Sequence, residues 1–146
     1  MIAYLDASAL VKRYIIERGS RETIALTADL EMTATSIVSR AEVAAALAKA
    51  GRVGLVNKEV ARNAQRRFTA DWTDFVRVRV TEALVERADG LAWEHGLRGY
   101  DAVQLASALS WQESVGEEIV LATFDPQLWE AAKRTGLRAW PDMPRA

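Results

Sequence analysis

The chain has 146 residues, 50% of them hydrophobic and 27% charged, a composition that suits one compact domain over residues 1–146. It contains no cysteine and a single histidine, His95, which excludes disulfides, a cysteine nucleophile and a zinc site built from cysteines or several histidines. No apolar run approaches the roughly 20 residues of a membrane-spanning helix, and the first residues lack the basic and apolar regions of a signal peptide, so we expect a cytoplasmic protein without membrane contact.

Short apolar strands alternate with longer helical segments along the first half of the chain. In order, the pattern predicts a strand, two helices, a second strand and two further helices, over residues 2–5, 7–17, 20–30, 32–35, 36–50 and 55–72. Ser36 is the expected N-cap of the alanine-rich helix 36–50, and Gly51 is expected to end it.

The second half continues the same alternation. Strands are predicted over 75–80, 119–123 and 137–140, and helices over 81–94, 99–113 and 125–136. Short strands separated by helices pair in parallel through crossover connections. The expected fold is therefore an α/β/α sandwich of three layers around a mostly parallel sheet of about five strands. Ligands of such sheets bind at the carboxyl ends of the strands.

Two aspartates stand directly beyond predicted strands. Asp6 follows the first strand and Asp125 follows strand 119–123, so the two side chains should lie close together if those strands are neighbours. Either residue also suits a plain helix N-cap, and Pro126 after Asp125 is typical of a helix start. The two roles are compatible, because a carboxylate at a helix N-terminus stays ionised and can still face a cation.

Two further acids occur among apolar residues near predicted helix starts. Glu42 falls in the second turn if Ser36 is the cap, with Ser39 and Glu42 as a capping box the alternative. Asp101 lies in the first turn of its helix, where the helix dipole favours an acid. A carboxylate surrounded by small apolar side chains needs a partner, which makes both residues candidates for a charged site.

Four short segments around these acids resemble, in order, the acidic motifs of PIN-domain nucleases, specifically the VapC-type toxins of bacterial toxin–antitoxin pairs. The segments are LDASALVK at 5–12, SRAEV at 39–43, YDA at 100–102 and TFD at 123–125. The resemblance implies an endoribonuclease dependent on Mg²⁺ or Mn²⁺ that acts as a homodimer and is inhibited by a small antitoxin protein. It implies six site residues: the acids Asp6, Glu42, Asp101 and Asp125, supported by Ser8 and Thr123.

Four clustered carboxylates would suit such chemistry. Two carboxylates about 5 Å apart repel by roughly 3 kcal/mol at an effective dielectric of about 20, and a divalent ion removes that repulsion while activating a water molecule. We expect Asp6 and Asp101 to be the principal metal ligands. Glu42 and Asp125 complete the site directly or through water, and whether Glu42 also activates the nucleophile is left open.

A basic stripe is predicted on helix 55–72, where Lys58, Arg62 and Arg66 repeat every four residues beside Arg67. The formal net charge of -1 requires such a local patch, or the metal, to meet RNA phosphates. A solvated helix face is the ordinary alternative, and an acidic antitoxin segment is another possible ligand. Trp72 is a candidate for stacking on a base, whereas the remaining tryptophans suit the core or a dimer contact: Trp93, Trp111, Trp129 and Trp140.

Other folds that place acids at strand ends fit less well. A receiver domain needs a second acid near the first strand and a lysine after a late strand, and a haloacid-dehalogenase-type phosphatase needs an aspartate where Ser8 stands. The remaining alternative is a catalytically silent PIN-like module that binds RNA or protein, with the acids acting only as helix caps.

Overall fold

Five strands form one sheet in which every neighbouring pair runs parallel. The structure is a computed structural model that describes residues 1–142, and residues 143–146 of the predicted domain lie outside the described part. The strands are β1 (Ile2–Leu5), β2 (Met32–Ser36), β3 (Val76–Val78), β4 (Val120–Ala122) and β5 (Arg138–Trp140). Their order across the sheet is β3-β2-β1-β4-β5, which puts β1 at the centre.

Seven α-helices connect these strands within the described residues. They are α1 (Ala7–Leu10), α2 (Ser20–Ala28), α3 (Ser39–Arg52), α4 (Lys58–Asp71), α5 (Glu82–His95), α6 (Gly99–Val115) and α7 (Pro126–Arg134). Short 3-10 turns extend α1 over Val11–Arg13 and α4 over Trp72–Asp74. Across residues 1–142, no helix combines the length and the apolar character needed to cross a bilayer.

The central strand β1 is buried on both faces, and its side chains alternate between two cores. Ile2 and Tyr4 belong to the core formed with α5, α6 and α7. Ala3 and Leu5 belong to the core formed with α1, α3 and α4. Helices therefore cover both faces of the sheet. The predicted three-layer α/β/α sandwich with a parallel five-stranded sheet is confirmed.

The first helix is much shorter than predicted. Instead of continuing to residue 17, it ends at Leu10 and passes through one 3-10 turn. The Ser20 hydroxyl donates to the Ile15 carbonyl (2.9 Å) and accepts from the Glu17 amide (2.9 Å), which folds the chain back at this point. A tertiary turn of this kind overrides the helical pattern of the sequence.

The helix that carries Glu42 begins later than predicted. Ser36 is not its cap: the Ile37 amide donates to the Val78 carbonyl (2.9 Å), so the chain is still bound to the sheet, and α3 starts at Ser39. Glu42 is consequently in the first turn rather than the second. Gly51 does not end the helix either, since α3 continues to Arg52. The remaining predicted elements are present with ends shifted by a few residues, as is usual.

The tryptophans differ from the prediction at one position, Trp72. Trp72 is only 4% exposed and packs edge-on against Phe68 (5.6 Å between ring centroids), so it is not available to stack on a base. Trp111 and Trp129 are buried in the core as predicted. Trp93 is 87% exposed and is not a core residue, so for this residue only the predicted dimer contact remains.

Candidate active site

The carboxyl ends of β1 and β4 bring Asp6 and Asp125 to the same edge of the sheet. The strands are parallel neighbours, with Leu5 in register with Ala122, and Thr123 follows β4. The Thr123 hydroxyl donates to Asp6 Oδ2 (2.6 Å) and accepts from the Asp125 amide (3.1 Å). The expected proximity of the two strand-end aspartates is confirmed, and one threonine links them.

Asp6 is almost fully buried, with 4% of its surface exposed. Its carboxylate accepts hydrogen bonds from the Ser8 hydroxyl (2.7 Å), the Ala9 amide (3.0 Å) and Thr123. Burial, together with the negative charge of Asp101, raises the pKa of Asp6 to about 6 although the three hydrogen bonds favour the ionised form. Asp6 therefore caps α1 and also carries a negative charge that burial makes unfavourable. Ser8 and Thr123 contact it as expected.

Asp101 is the electrostatic centre of the acidic group. It is buried in the first turn of α6, and its pKa is raised first by burial and then by the negative charge of Asp125. The Asp101 charge in turn raises the pKa values of Asp6 and of Glu42, for both of which burial is the larger cause. Charge interactions thus connect the four predicted acids, which come from four separate segments of the chain.

Glu42 is held in place by a buried amide that the sequence reasoning missed. Gln104 Nε2 donates to Glu42 Oε1 (3.1 Å) and to Ser39 Oγ (3.0 Å), while the Tyr4 hydroxyl donates to Gln104 Oε1. Gln104 is 1% exposed, at the position three residues after Asp101. A polar amide on the same helix face as Asp101, within an otherwise apolar stripe, is the signal that could have identified it.

Arg98 is a second residue that the sequence reasoning missed. Its guanidinium donates from Nε to Asp101 Oδ2 (3.1 Å) and from Nη2 to Asp125 Oδ2 (2.6 Å), and so it bridges two of the four acids. The spacing of three residues between Arg98 and Asp101 at a helix start is the local signal for the first contact. The contact with Asp125 depends on how α6 and α7 pack, which the sequence does not display.

The predicted basic stripe lies on an exposed face of α4. Lys58, Arg62 and Arg66 are all exposed, and Lys58 and Arg62 also line a groove of about 280 Å³ between α3 and α4. The contacts between α3 and α4 give the direction of the stripe. A Cβ on Gly51, near the end of α3, would meet Ala61, whereas Arg40 near its start lies over the Trp72 ring (5.8 Å). The two helices are therefore antiparallel, and Arg66 lies closer than Lys58 to the end of α4 that packs beside the start of α3.

A divalent cation fits the chemistry of the four acids. Hard ions such as Mg²⁺ and Mn²⁺ prefer carboxylate oxygens, and a positive ion would lower the pKa values that burial and repulsion have raised. The arrangement is nevertheless not that of a closed metal site, because within residues 1–142 no three acidic, histidine or cysteine side chains converge as a metal-binding group. The donor atoms are suitable, and closing them around an ion requires side chains to move.

Comparison with known proteins identifies the family to which the chain belongs. Residues 3–134 match the family model for the PIN domain. The chain is 36% identical over 141 residues to Ribonuclease VapC45 of Mycobacterium tuberculosis, which covers 96% of this chain and 95% of that protein.

Solved structures resemble the fold. The crystal structure of PAE2754 from Pyrobaculum aerophilum aligns with a TM-score of 0.64 and 26% identity, covering 94% of this chain and 83% of that one. VapBC2 from Rickettsia felis, bound to a DNA fragment from its promoter, aligns with a TM-score of 0.63 over 95% of this chain and 97% of that one, and its 16% identity indicates the fold alone. With the family model and a VapC relative both matching nearly the whole chain, this protein belongs to the PIN-domain family and, within it, to the VapC group.

Proposed function

We propose that this protein is an endoribonuclease that depends on Mg²⁺ or Mn²⁺ and hydrolyses RNA phosphodiester bonds at the site formed by Asp6, Glu42, Asp101 and Asp125. The observation that carries the proposal is the electrostatic coupling of these acids at the carboxyl edge of the sheet. Burial and mutual repulsion raise the pKa values of Asp6, Glu42 and Asp101, which leaves the group short of positive charge. The ribonuclease named among its relatives supports the reaction class.

In this proposal Asp6 and Asp101 are the principal ligands of the ion, and Glu42 and Asp125 complete the site directly or through water. When bound, the ion would lower the pKa of a coordinated water and stabilise charge on the phosphate and the leaving oxygen. The chain's own groups hold the acids in place. Ser8 and Thr123 orient the Asp6 carboxylate, and no histidine is required as a base.

We also propose a small antitoxin protein as the physiological partner. A neighbouring fold is that of a toxin–antitoxin complex from Klebsiella pneumoniae, which aligns with a TM-score of 0.58 over 84% of this chain. The basic stripe of Lys58, Arg62 and Arg66 is proposed to contact RNA. A homodimer is the proposed assembly, and the exposed indole of Trp93 is typical of residues at such interfaces.

Cleavage of labelled RNA by the purified protein tests the catalytic proposal. We expect cleavage in Mn²⁺ or Mg²⁺, none in EDTA, and a loss of at least about 100-fold in Asp6→Asn and Asp101→Asn, because each removes a ligand charge. Asp89→Asn, which changes an exposed aspartate on α5, is the matched control and should cleave like the wild type. Circular dichroism would establish that all variants are folded.

Two results would contradict the proposal. Cleavage by Asp101→Asn at the wild-type rate would remove that residue from the site or reveal a contaminating nuclease. RNA binding without cleavage in any divalent ion would instead support the alternative of a catalytically silent RNA-binding module.

A further inference from the structure

Arg98 places a positive charge inside the acidic group. It immediately precedes α6, and its guanidinium contacts Asp101 Oδ2 (3.1 Å) and Asp125 Oδ2 (2.6 Å), carboxylates that belong to the starts of two different helices. The same guanidinium lies over the Tyr100 ring, 4.9 Å from its centroid. Arg98 is therefore held by two acids and an aromatic face.

The exposure of the three side chains shows how this contact is built. The Arg98 side chain is 54% exposed, whereas those of Asp101 and Asp125 are 5% and 19% exposed. The guanidinium thus covers the two acids from the solvent side and is not anchored in the core. Because the guanidinium itself reaches solvent, another cation can replace it without opening the core.

One oxygen that Arg98 contacts is the one that Asp125 has left for a metal. Asp125 Oδ1 is already committed to the start of α7, where it accepts from the amides of Gln127 (2.9 Å) and Leu128 (3.0 Å). Only Asp125 Oδ2 is left to face a cation, and this atom accepts a hydrogen bond from Arg98 Nη2. An ion bound directly by Asp125 must compete with the guanidinium for Asp125 Oδ2.

We propose that Arg98 is a built-in counter-ion of the acidic group, which holds Asp101 and Asp125 in the metal-free protein and is displaced when a divalent ion binds. This inference rests on the metal site of the proposed function. Because the ion must displace Arg98, its measured affinity is lower than the four acids alone would give. Tyr100 keeps the released guanidinium at the rim of the site.

Titration of Mn²⁺ by isothermal calorimetry tests this role in the full chain. Arg98→Gln should bind Mn²⁺ about fivefold more tightly than the wild type, because the ion no longer competes with the guanidinium. Arg98→Lys keeps the charge but lacks the planar fork that reaches both carboxylates, so it should also bind more tightly than the wild type. Arg87→Gln is the matched control, because Arg87 forms a comparable exposed pair with Glu113 (2.7 Å), and its affinity should equal that of the wild type.

Unchanged or weaker Mn²⁺ binding in both Arg98→Gln and Arg98→Lys would overturn the proposal that Arg98 competes with the ion. If the wild type nevertheless cleaves RNA with Mn²⁺, the proposed nuclease stands and only the role of Arg98 fails. If the wild type neither binds Mn²⁺ nor cleaves RNA, and Asp101→Asn behaves identically, the metal site itself fails. Measuring both affinity and cleavage on the same preparations separates these cases.

Discussion

Asp6 shows how one residue can serve the fold and the proposed chemistry together. Its Oδ1 atom accepts a hydrogen bond from the Ala9 amide and so caps the start of α1. The same buried carboxylate is one of the acids of the proposed site and is repelled by the charge of Asp101. A helix cap alone would be stabilising, whereas the raised pKa of about 6 indicates that ionisation is less favourable in the folded protein than in the unfolded chain. Ionising Asp6 therefore costs stability.

This cost predicts a pH dependence with a definite sign. The unfolded-state pKa of an aspartate is about 3.9, and that of folded Asp6 is about 6. Between these values the folded state retains a proton that the unfolded chain has lost, so the contribution of Asp6 to the free energy of unfolding falls as pH rises, by up to about 3 kcal/mol. Asp6→Asn cannot ionise and should escape this loss.

Thermal unfolding in EDTA measures the effect. The difference in Tm between Asp6→Asn and the wild type should shift in favour of the variant on going from pH 4.5 to pH 7.5. Asp89→Asn, at an exposed position of α5, is the control for the replacement itself. A Tm difference for Asp6→Asn that stays constant between these pH values would mean that burial does not shift the ionisation of Asp6.

At the scale of elements, the sequence predicted the order and type of the strands and helices, because hydrophobic patterning follows the burial of each segment. It failed at the C-terminal end of α1 and at the start of α3, which are set by the Ser20–Ile15 and Ile37–Val78 hydrogen bonds between separate segments. The residues of the site also differ in how far the sequence predicts them. Asp6 and Asp125 are predicted because ligands of parallel sheets bind at the carboxyl ends of the strands. The contact of Arg98 with Asp125 depends on helix packing that no local pattern encodes.

Two glycines in helices lead to opposite expectations for the packing of α3, α4 and α5. A Cβ on Gly51 would lie 3.1 Å from Ala61 Cβ at the α3–α4 contact, whereas one on Gly90 in α5 would meet nothing within 4 Å. Gly90→Ala should therefore stabilise by about 0.5–1 kcal/mol through helix propensity. Gly51→Leu should destabilise by about 1–3 kcal/mol through overpacking. Urea unfolding of both variants checks the pair, and stabilisation by Gly51→Leu would show that α3 and α4 are not packed this closely.

Because of the direction of α4, we expect the residues of its basic stripe to contribute unequally to RNA binding. Arg66 lies toward the end of α4 that packs beside the start of α3, and Lys58 is eight residues away along the helix, about 12 Å. We expect Arg66→Ala to weaken single-stranded RNA binding more than Lys58→Ala, and to lower the slope of log affinity against log salt by about 0.7 for a lost phosphate contact. The measurement is fluorescence anisotropy in the Asp101→Asn background, which prevents cleavage. Equal effects of the two substitutions would place the RNA elsewhere.

At the scale of the whole molecule, the acidic group draws on four separate segments of the chain. Asp6 follows β1, Glu42 is on α3, Asp101 is on α6 and Asp125 begins α7, so the group spans both helical layers. An ion bound there would link these layers in the folded state and would have no equivalent site in the unfolded chain. Binding must then raise global stability rather than the stability of one loop.

This reasoning predicts how Mn²⁺ changes thermal unfolding. At an ion concentration about 100 times the Kd, binding adds about 2.7 kcal/mol to the free energy of unfolding, which for a chain of this size raises Tm by about 5–10 °C. Asp6→Asn loses a ligand charge and should gain much less from the same Mn²⁺ concentration. Asp89→Asn should gain as much as the wild type. Equal gains in the wild type and Asp6→Asn would place the bound ion away from Asp6, and therefore away from the strand edge on which the nuclease proposal depends.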